Sequence, residues 1–418
     1  MIRSLFLAVD IAYTHLRRRK RQTFVSILGV ATGVGFFIAM AAMMQGMQRY
    51  FIAKIIDVSP HIIVKDEYRI PPQQPIRLLY PQGAIALRGV KPKEELRGIR
   101  DGQATVDALS RQFDLALAPI LRGQIFLRYG GTDVSATLVG VEPERERQVT
   151  RLEHDLISGS LAGLRTTANG LILGEGVAQK LGAMMNDTLS ATSPAGVVMR
   201  MKVVGILRTG ITAIDNFECY SLLKKAQILQ NRLNVINQIR IRLPDINTAS
   251  VIAAAIEQRY GYRTESWEET NKNVLGVFII QNMVMYSTVG AILIVASFGI
   301  FNVISTIIHE KTRDIAILKS MGFYERDIRL IFLTEGLVLG LVGALCGSLL
   351  GYGLTRFLAT IQFKIEGFLK TEGFILYYTP THYFLAGIFA VTTAMIAAYL
   401  PTRKAARVQP VDIIRGAA

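Results

Sequence analysis

The chain is short of what soluble catalysis draws on. Its 418 residues hold two cysteines, five histidines and one tryptophan. Cys219 and Cys346 cannot build a disulfide framework. The histidines are scattered, and "HEKTR" at His309 lacks the second histidine of a zinc-binding H-E-x-x-H helix. No G-x-x-x-x-G-K-[ST] loop is present to cradle nucleotide phosphates, and no G-x-S-x-G elbow to present a nucleophile. Catalysis, a metal site and a cofactor bound by this chain are therefore not expected. Charge is also missing, but only locally. Gln22 to Gln48, Val274 to Ile307, Gly336 to Thr355 and Gly373 to Thr402 contain no Asp, Glu, Lys or Arg. Each run reaches the roughly 20 residues that a helix needs to cross about 30 Å of hydrocarbon.

What is present is a basic balance, +15 overall, and its placement matters more than its size. Arg17, Arg18, Arg19, Lys20 and Arg21 precede the first run; Arg403, Lys404, Arg407 and Arg415 follow the last. Basic residues at span ends mark the cytoplasmic side. No basic stripe with interleaved aromatics appears, so nucleic acid is not an expected partner. Four spans put both termini in the cytoplasm and the long polar stretch outside. The first run is too long, and lacks the small-residue site, for a cleaved signal peptide. The expected fold is a membrane protein with four transmembrane helices and a large α+β domain, in two subdomains, between helices 1 and 2.

The expected divisions are an amphipathic cytoplasmic helix (1–21), span 1 (22–48), the external domain (49–272), span 2 with a stalk (273–308), a cytoplasmic loop (309–329), span 3 (330–358), an external loop (359–380), span 4 (381–402) and a tail (403–418). Leu5, Phe6, Val9, Ala12, Tyr13 and Leu16 carry the apolar stripe of the first segment. Within the external domain, His61–Asp66 reads as a strand. Gln124–Val141 reads as a hairpin around Gly130-Gly131, and Asp187–Leu207 as a second one turned at Pro194-Ala195-Gly196. Leu171–Gly182 reads as strand, helix and glycine stop. Asn237–Leu243, "TASVIAAAIEQRYG" and "YRTESW" read as β-α-β. The proline-rich 70–93 reads as a loop.

In the spans, Gly29 and Gly33, and then Gly336, Gly340, Gly343 and Gly347, mark faces of close helix approach, within the chain or between subunits. Glu335 is a carboxylate at the edge of a span. It needs a partner, such as Arg329 or a residue of a neighbouring chain. The cytoplasmic loop carries a short amphipathic helix. Ile315 and Leu318 share a face, Arg313, Asp314 and Lys319 lie elsewhere, and Gly322 closes it. Such a helix suits a groove on a partner better than a lipid surface.

That loop also carries a family resemblance. Glu310, Thr312, Arg313, Asp314, Ile315, Ala316, Ile317, Leu318, Lys319, Met321 and Gly322 resemble the "E-x-T-R-E-I-A-I-L-R-A-L-G" of the MacB / LolC–LolE / FtsX permeases, with Asp314 where Glu is usual. "YLPTRKAARVQPVDIIR" at the C-terminus, the opening "LRRRKRQTFVSILGVATGV" and the external "LILGEGVAQKLG" are similar to the same family. The resemblance implies an ABC transporter permease of the mechanotransmission type in the bacterial inner membrane. A separate cytoplasmic ATPase dimer would bind ATP and Mg. A second permease copy, identical or paralogous, would complete the complex. The missing phosphate loop points to the unfused LolC/LolE-like branch. The cargo implied is a lipoprotein or lipid. The alternatives are efflux with a membrane-fusion adaptor and an FtsX-like signalling module. In LolC-type members the hairpin matching Leu189–Met201 is a long hook for a periplasmic chaperone. It is short here, which leaves open a gripping partner subunit or another cargo.

Overall fold

The computed structural model describes residues 11–12, 14–15, 17–67, 79–80, 82–83, 98–113, 115–361, 364–366 and 370–407. Most of the N-terminal stripe, most of the proline-rich stretch and the C-terminal "QPVDIIR" lie outside these residues. In chain order the elements are α1 (Lys20–Val58), β1 (Ile62–Lys65), α2 (Gly102–Phe113), β2 (Ala116–Tyr129), β3 (Thr132–Val141), α3 (Pro143–Val149), β4 (Leu156–Gly159), α4 (Gly163–Thr166), β5 (Gly170–Gly174), α5 (Glu175–Leu181), β6 (Thr188–Thr192), β7 (Val198–Leu207), α6 (Thr212–Asp215), β8 (Glu218–Leu222), α7 (Leu223–Leu229), β9 (Gln238–Arg242), α8 (Ala249–Tyr260), β10 (Thr264–Ser266), α9 (Trp267–Thr270), α10 (Lys272–Glu310), α11 (Thr312–Ser320), α12 (Glu325–Thr360), β11 (Lys364–Glu366), β12 (Lys370–Glu372) and α13 (Pro380–Ala406). Contacts divide the chain into two compact units. One holds residues 1–50, 276–363 and 372–418, the other 51–275 and 364–371.

The first unit contains the bulk of α1, α10, α12 and α13. These are the four helices, among the described residues, long and apolar enough to cross a membrane. Both α1 and α10 outrun the uncharged sequence runs. α1 continues to Val58, ten residues past the boundary expected at 48, and α10 is unbroken from Lys272. Small residues let the helices close on one another. A methyl placed on Gly343, Gly347 or Gly351 of α12 would lie 2.7, 2.5 and 2.9 Å from side-chain atoms of Val30, Val34 and Ile38 on α1. The rising order on both helices makes α1 and α12 parallel. Gly336 and Gly340 meet Ala398 and Ala394 of α13 in falling order, so that pair is antiparallel. Gly29 and Gly33 meet Ala296 and Leu293 of α10, again antiparallel.

The second unit is a mixed sheet of ten strands, ordered β10-β1-β9-β2-β3-β8-β5-β7-β4, with β6 bridging β2 and β7. Strand β2 is long enough to serve two partners along the edge opposite β3. Its first residues, Ala116–Ile120, pair with β9, and Phe126–Arg128 pair with β6. Alternation divides the neighbouring strands between two cores. Leu138, Leu171, Leu173 and Cys219 enter one, and Val139, Val141, Ile172 and Tyr220 the other. That period-two split lets β5 and the second half of β3 be buried on both faces. The expected hairpins form, turning at Gly130-Gly131 and at 193–197. The β-α-β element forms as well, with β9 and β10 flanking β1 rather than each other.

Candidate functional site

The cytoplasmic loop is built by two short breaks in helix. The first falls at Lys311, between α10 and α11. The second falls after Met321, where Gly322 takes φ +100, a left-handed conformation that costs a Cβ-bearing residue and not glycine. Phe323 N–H then donates back to the Leu318 carbonyl and closes the turn. Between the breaks, α11 is held by its own bundle. Ile315 and Ala316 are buried, at 3% and 2% exposure. Leu318 is half-buried against the same cluster of Ile328, Phe332 and Ala405. Lys319 Nζ donates to the Ala406 carbonyl at the end of α13, at 2.8 Å. Lys311 pairs with Asp314 at 2.6 Å, a hydrogen bond that holds the Asp314 carboxyl below the usual range.

This corrects the expected docking face. Ile315 is spent inside the chain, because the bundle beneath α11 needs an apolar residue there. The residues left exposed include Arg313, Asp314, Ile317, Met321 and Tyr324, with Ile317, Met321 and Tyr324 at 51%, 72% and 66%. Ile317 and Met321 are four apart, so they form one ridge. The sequence carried this signal in Ile317 and Met321, but nothing in the helical period says which of two apolar edges faces inward.

The partner of Glu335 also differs from expectation. Glu335 is fully buried on α12, and its Oε1 lies 2.7 Å from His15 Nδ1. Arg329, six residues away, instead approaches Glu325. The His15 ring stacks on Phe332 with centroids 6.4 Å apart. Arg19 pairs with Glu310 at the end of α10. Two side chains of the N-terminal segment, Arg19 and His15, are thus fixed to α10 and α12 at the ends that bracket α11. The candidate glycines Gly29, Gly33, Gly336, Gly340, Gly343 and Gly347 all face helices of the same chain.

Among the described residues no group of three or more His, Cys, Asp or Glu could hold a metal ion. Cys219 is fully buried in the sheet core, and burial pushes its thiol up. It is therefore no reporter of sidedness.

Two family models match the sequence. The MacB-like periplasmic core domain covers residues 23–259, and the FtsX-like permease C-terminal region covers 286–410. The lipoprotein-releasing system transmembrane protein LolC of Neisseria meningitidis is 25% identical over 97% of this chain and 98% of its own length. An uncharacterized ABC transporter permease, YknZ of Bacillus subtilis, is 23% identical over 99% of both chains. The macrolide export ATP-binding/permease protein MacB of Photorhabdus laumondii is 23% identical over 97% of this chain, which spans 60% of that longer protein. With the first model alone matching more than half of its length, the chain belongs to the MacB/LolC/FtsX family of ABC transporter permeases, multi-pass proteins of the inner membrane with a periplasmic core domain.

Proposed function

We propose that this chain is the permease subunit of an ABC transporter that releases or exports lipoprotein or lipid-like cargo. It would turn ATP hydrolysis by a separate ATPase dimer into motion of its periplasmic domain. The observation that carries the reading is the α11 ridge. A partner that grips Ile317, Met321 and Tyr324 grips a helix whose other face is packed into the ends of the spans. Force on the ridge would therefore pass through packed side chains to α10, α12 and α13. Arg313 and Asp314 at its edge would set register more than affinity. The ATPase would hold ATP and Mg, and this chain would bind neither. Both termini would be cytoplasmic. A second permease copy, identical or paralogous, would complete the complex, and a periplasmic adaptor or chaperone could join it. We take the two groups of strands that share β2 as the two expected subdomains.

LolC similarity along both full lengths favours lipoprotein over drug as cargo. The short β6–β7 hairpin favours a second reading, in which a paralogous subunit grips the chaperone or the cargo is exported through an adaptor. The test is Ile317→Glu. Desolvating an unpaired carboxylate in a groove costs several kcal/mol, so the ATPase should no longer copurify and lipoprotein release from proteoliposomes should stop. Copurification and release at wild-type levels would refute the docking role. Impermeant labelling of Ala195→Cys in intact spheroplasts checks the sidedness, and protection there would reverse it.

A further inference from the structure

The second unit contains a cavity of about 220 Å³. That is room for about seven waters at ~30 Å³ each, or for a short acyl tail of similar bulk. Its apolar walls come from the end of α1 (Ile55, Val58), from Leu152 and Ile214, and from Trp267 of α9. Its polar side is set by β9, β2 and β8. On β9, Gln238 and Arg240 face one way while Ile239 and Ile241 enter the core.

The polar groups around this cavity are unevenly spent. Glu218 uses both oxygens, accepting from Arg122 Nη2 and from the Tyr220 hydroxyl, each at 2.7 Å. Burial and Glu218 push the Tyr220 hydroxyl well up, which keeps it a donor. Behind the floor, Glu146 Oε1 accepts from Arg240 Nη1 at 2.7 Å and from Thr150 Oγ1 at 3.0 Å, while its Oε2, set back from the lining, has no partner among the described residues. Asp215, below the loop that lines one side, is filled by donors from Thr209 and Gly210. Arg240 is only 7% exposed, and its Nε–H has no partner among the described residues. Arg122 gives one nitrogen to Glu218 and is 41% exposed. Among the lining residues the one carboxylate, Glu218, is already satisfied, so the unspent capacity there is that of donors, Arg240 Nε and the remaining nitrogens of Arg122. A buried donor without an acceptor costs about 1–3 kcal/mol, so the site is built for an acceptor.

We propose that this cavity binds a small amphipathic anion, a carboxylate on a short acyl tail, with its head on Arg122 and Arg240 and its tail along Ile55, Val58 and Trp267. The assignment does not depend on ATPase docking, since every residue it uses lies in the second unit. An occupant would wedge between the last turns of α1 and the sheet, where the polypeptide enters the domain.

Trp267 is the sole tryptophan of the chain, so its fluorescence reports this cavity directly. The experiment adds ω-bromo-octanoate to the full-length protein in nanodiscs, the bromine quenching on contact. Saturable quenching is expected. It should weaken about tenfold or more for the uncharged ω-bromo-octanol and in Arg122→Gln, the scale of one charge-assisted hydrogen bond. Arg122→Lys should recover part of the loss, and Ala213→Phe at the lining should weaken both probes. Quenching that rises linearly without saturating, or equal quenching by acid and alcohol, would show partition into the bilayer and overturn the site. No quenching at all would leave a water-filled cavity and overturn it equally. If a variant shifts the unliganded Trp267 emission, the acid–alcohol comparison on the unaltered protein decides.

Discussion

The two units exclude water by opposite means. In the spanning unit, side chains are removed so that backbones can meet, and glycine and alanine carry the contacts of α12 with α1 and α13. In the second unit, side chains are enlarged, and Leu, Ile and Val fill both faces of a sheet. The reason lies in the solvent. Lipid is as apolar as leucine, so helices gain little by burying large side chains and must gain from close packing. Water around the sheet makes each buried methylene worth about 0.8 kcal/mol. Their buried charges differ too. The domain pairs Glu146 with Arg240 on the neighbouring β9. The bundle pairs Glu335 with His15, which lies 320 residues away in sequence.

The contrast predicts different breaking points. The largest effect should come from Gly347→Leu, whose first carbon would sit 2.5 Å from Val34 Cβ and 2.8 Å from the Ala31 carbonyl. Backbone cannot yield as a side chain does, so the cost should exceed the ~1–3 kcal/mol of ordinary overpacking. No monodisperse protein should elute in detergent. Gly353→Leu on the same helix meets nothing within 4 Å and should elute as the unaltered protein does. If both behave alike, close packing is not what holds the spans.

Next comes Glu146→Leu, which strands the 9%-exposed Arg240 guanidinium. It should destabilise the domain by about 3–5 kcal/mol in denaturant unfolding, with the double variant Glu146→Leu/Arg240→Met restoring most of the loss. A double variant no better than the single would show that the pair itself stabilises.

His15→Ala should act more locally. It leaves the buried Glu335 carboxyl without its partner, a loss of about 1–3 kcal/mol, so tryptic cleavage within Arg17–Arg21 should quicken about fivefold or more while the domain's unfolding stays put. Unchanged cleavage would mean that the segment is held by other contacts.

The smallest effect concerns pH. Burial first, and then Arg242, lower the pKa of His61. Its Nδ1 accepts from Leu243 N–H at 3.2 Å. Below about pH 6.5 the unfolded chain takes up this proton first. The domain should therefore lose stability as pH falls from there toward the lowered folded value. His61→Gln, which keeps an acceptor, should flatten that part of the stability–pH curve. A slope unchanged by the substitution would assign the acid sensitivity elsewhere.

Period and punctuation made much of this legible in the sequence. The four uncharged runs, the Gly130-Gly131 hairpin and the Gly322 stop rest on local rules, and each lies where those rules put it. Two things were not legible. The inward edge of α11 depends on what lies beneath it, and Ile315 and Ile317 are equally apolar. The His15–Glu335 pair joins distant segments, and a carboxylate in a span announces a need without naming its answer. The cavity beside Trp267 was equally hidden, since Arg122 and Arg240 sit on two strands, β2 and β9, that become neighbours only in the folded sheet.

The register of β1 carries one more consequence. Ile62, four residues beyond the end of α1, lies opposite Ser266, six residues before α10. The way into the domain and the way out are therefore antiparallel neighbours, about 5 Å apart. A module whose ends nearly touch can be lost, enlarged or exchanged with little strain on the helices that bear it. Evolution could thus refit the periplasmic part of such a permease for a new cargo as a cassette, leaving the spans and the α11 ridge untouched.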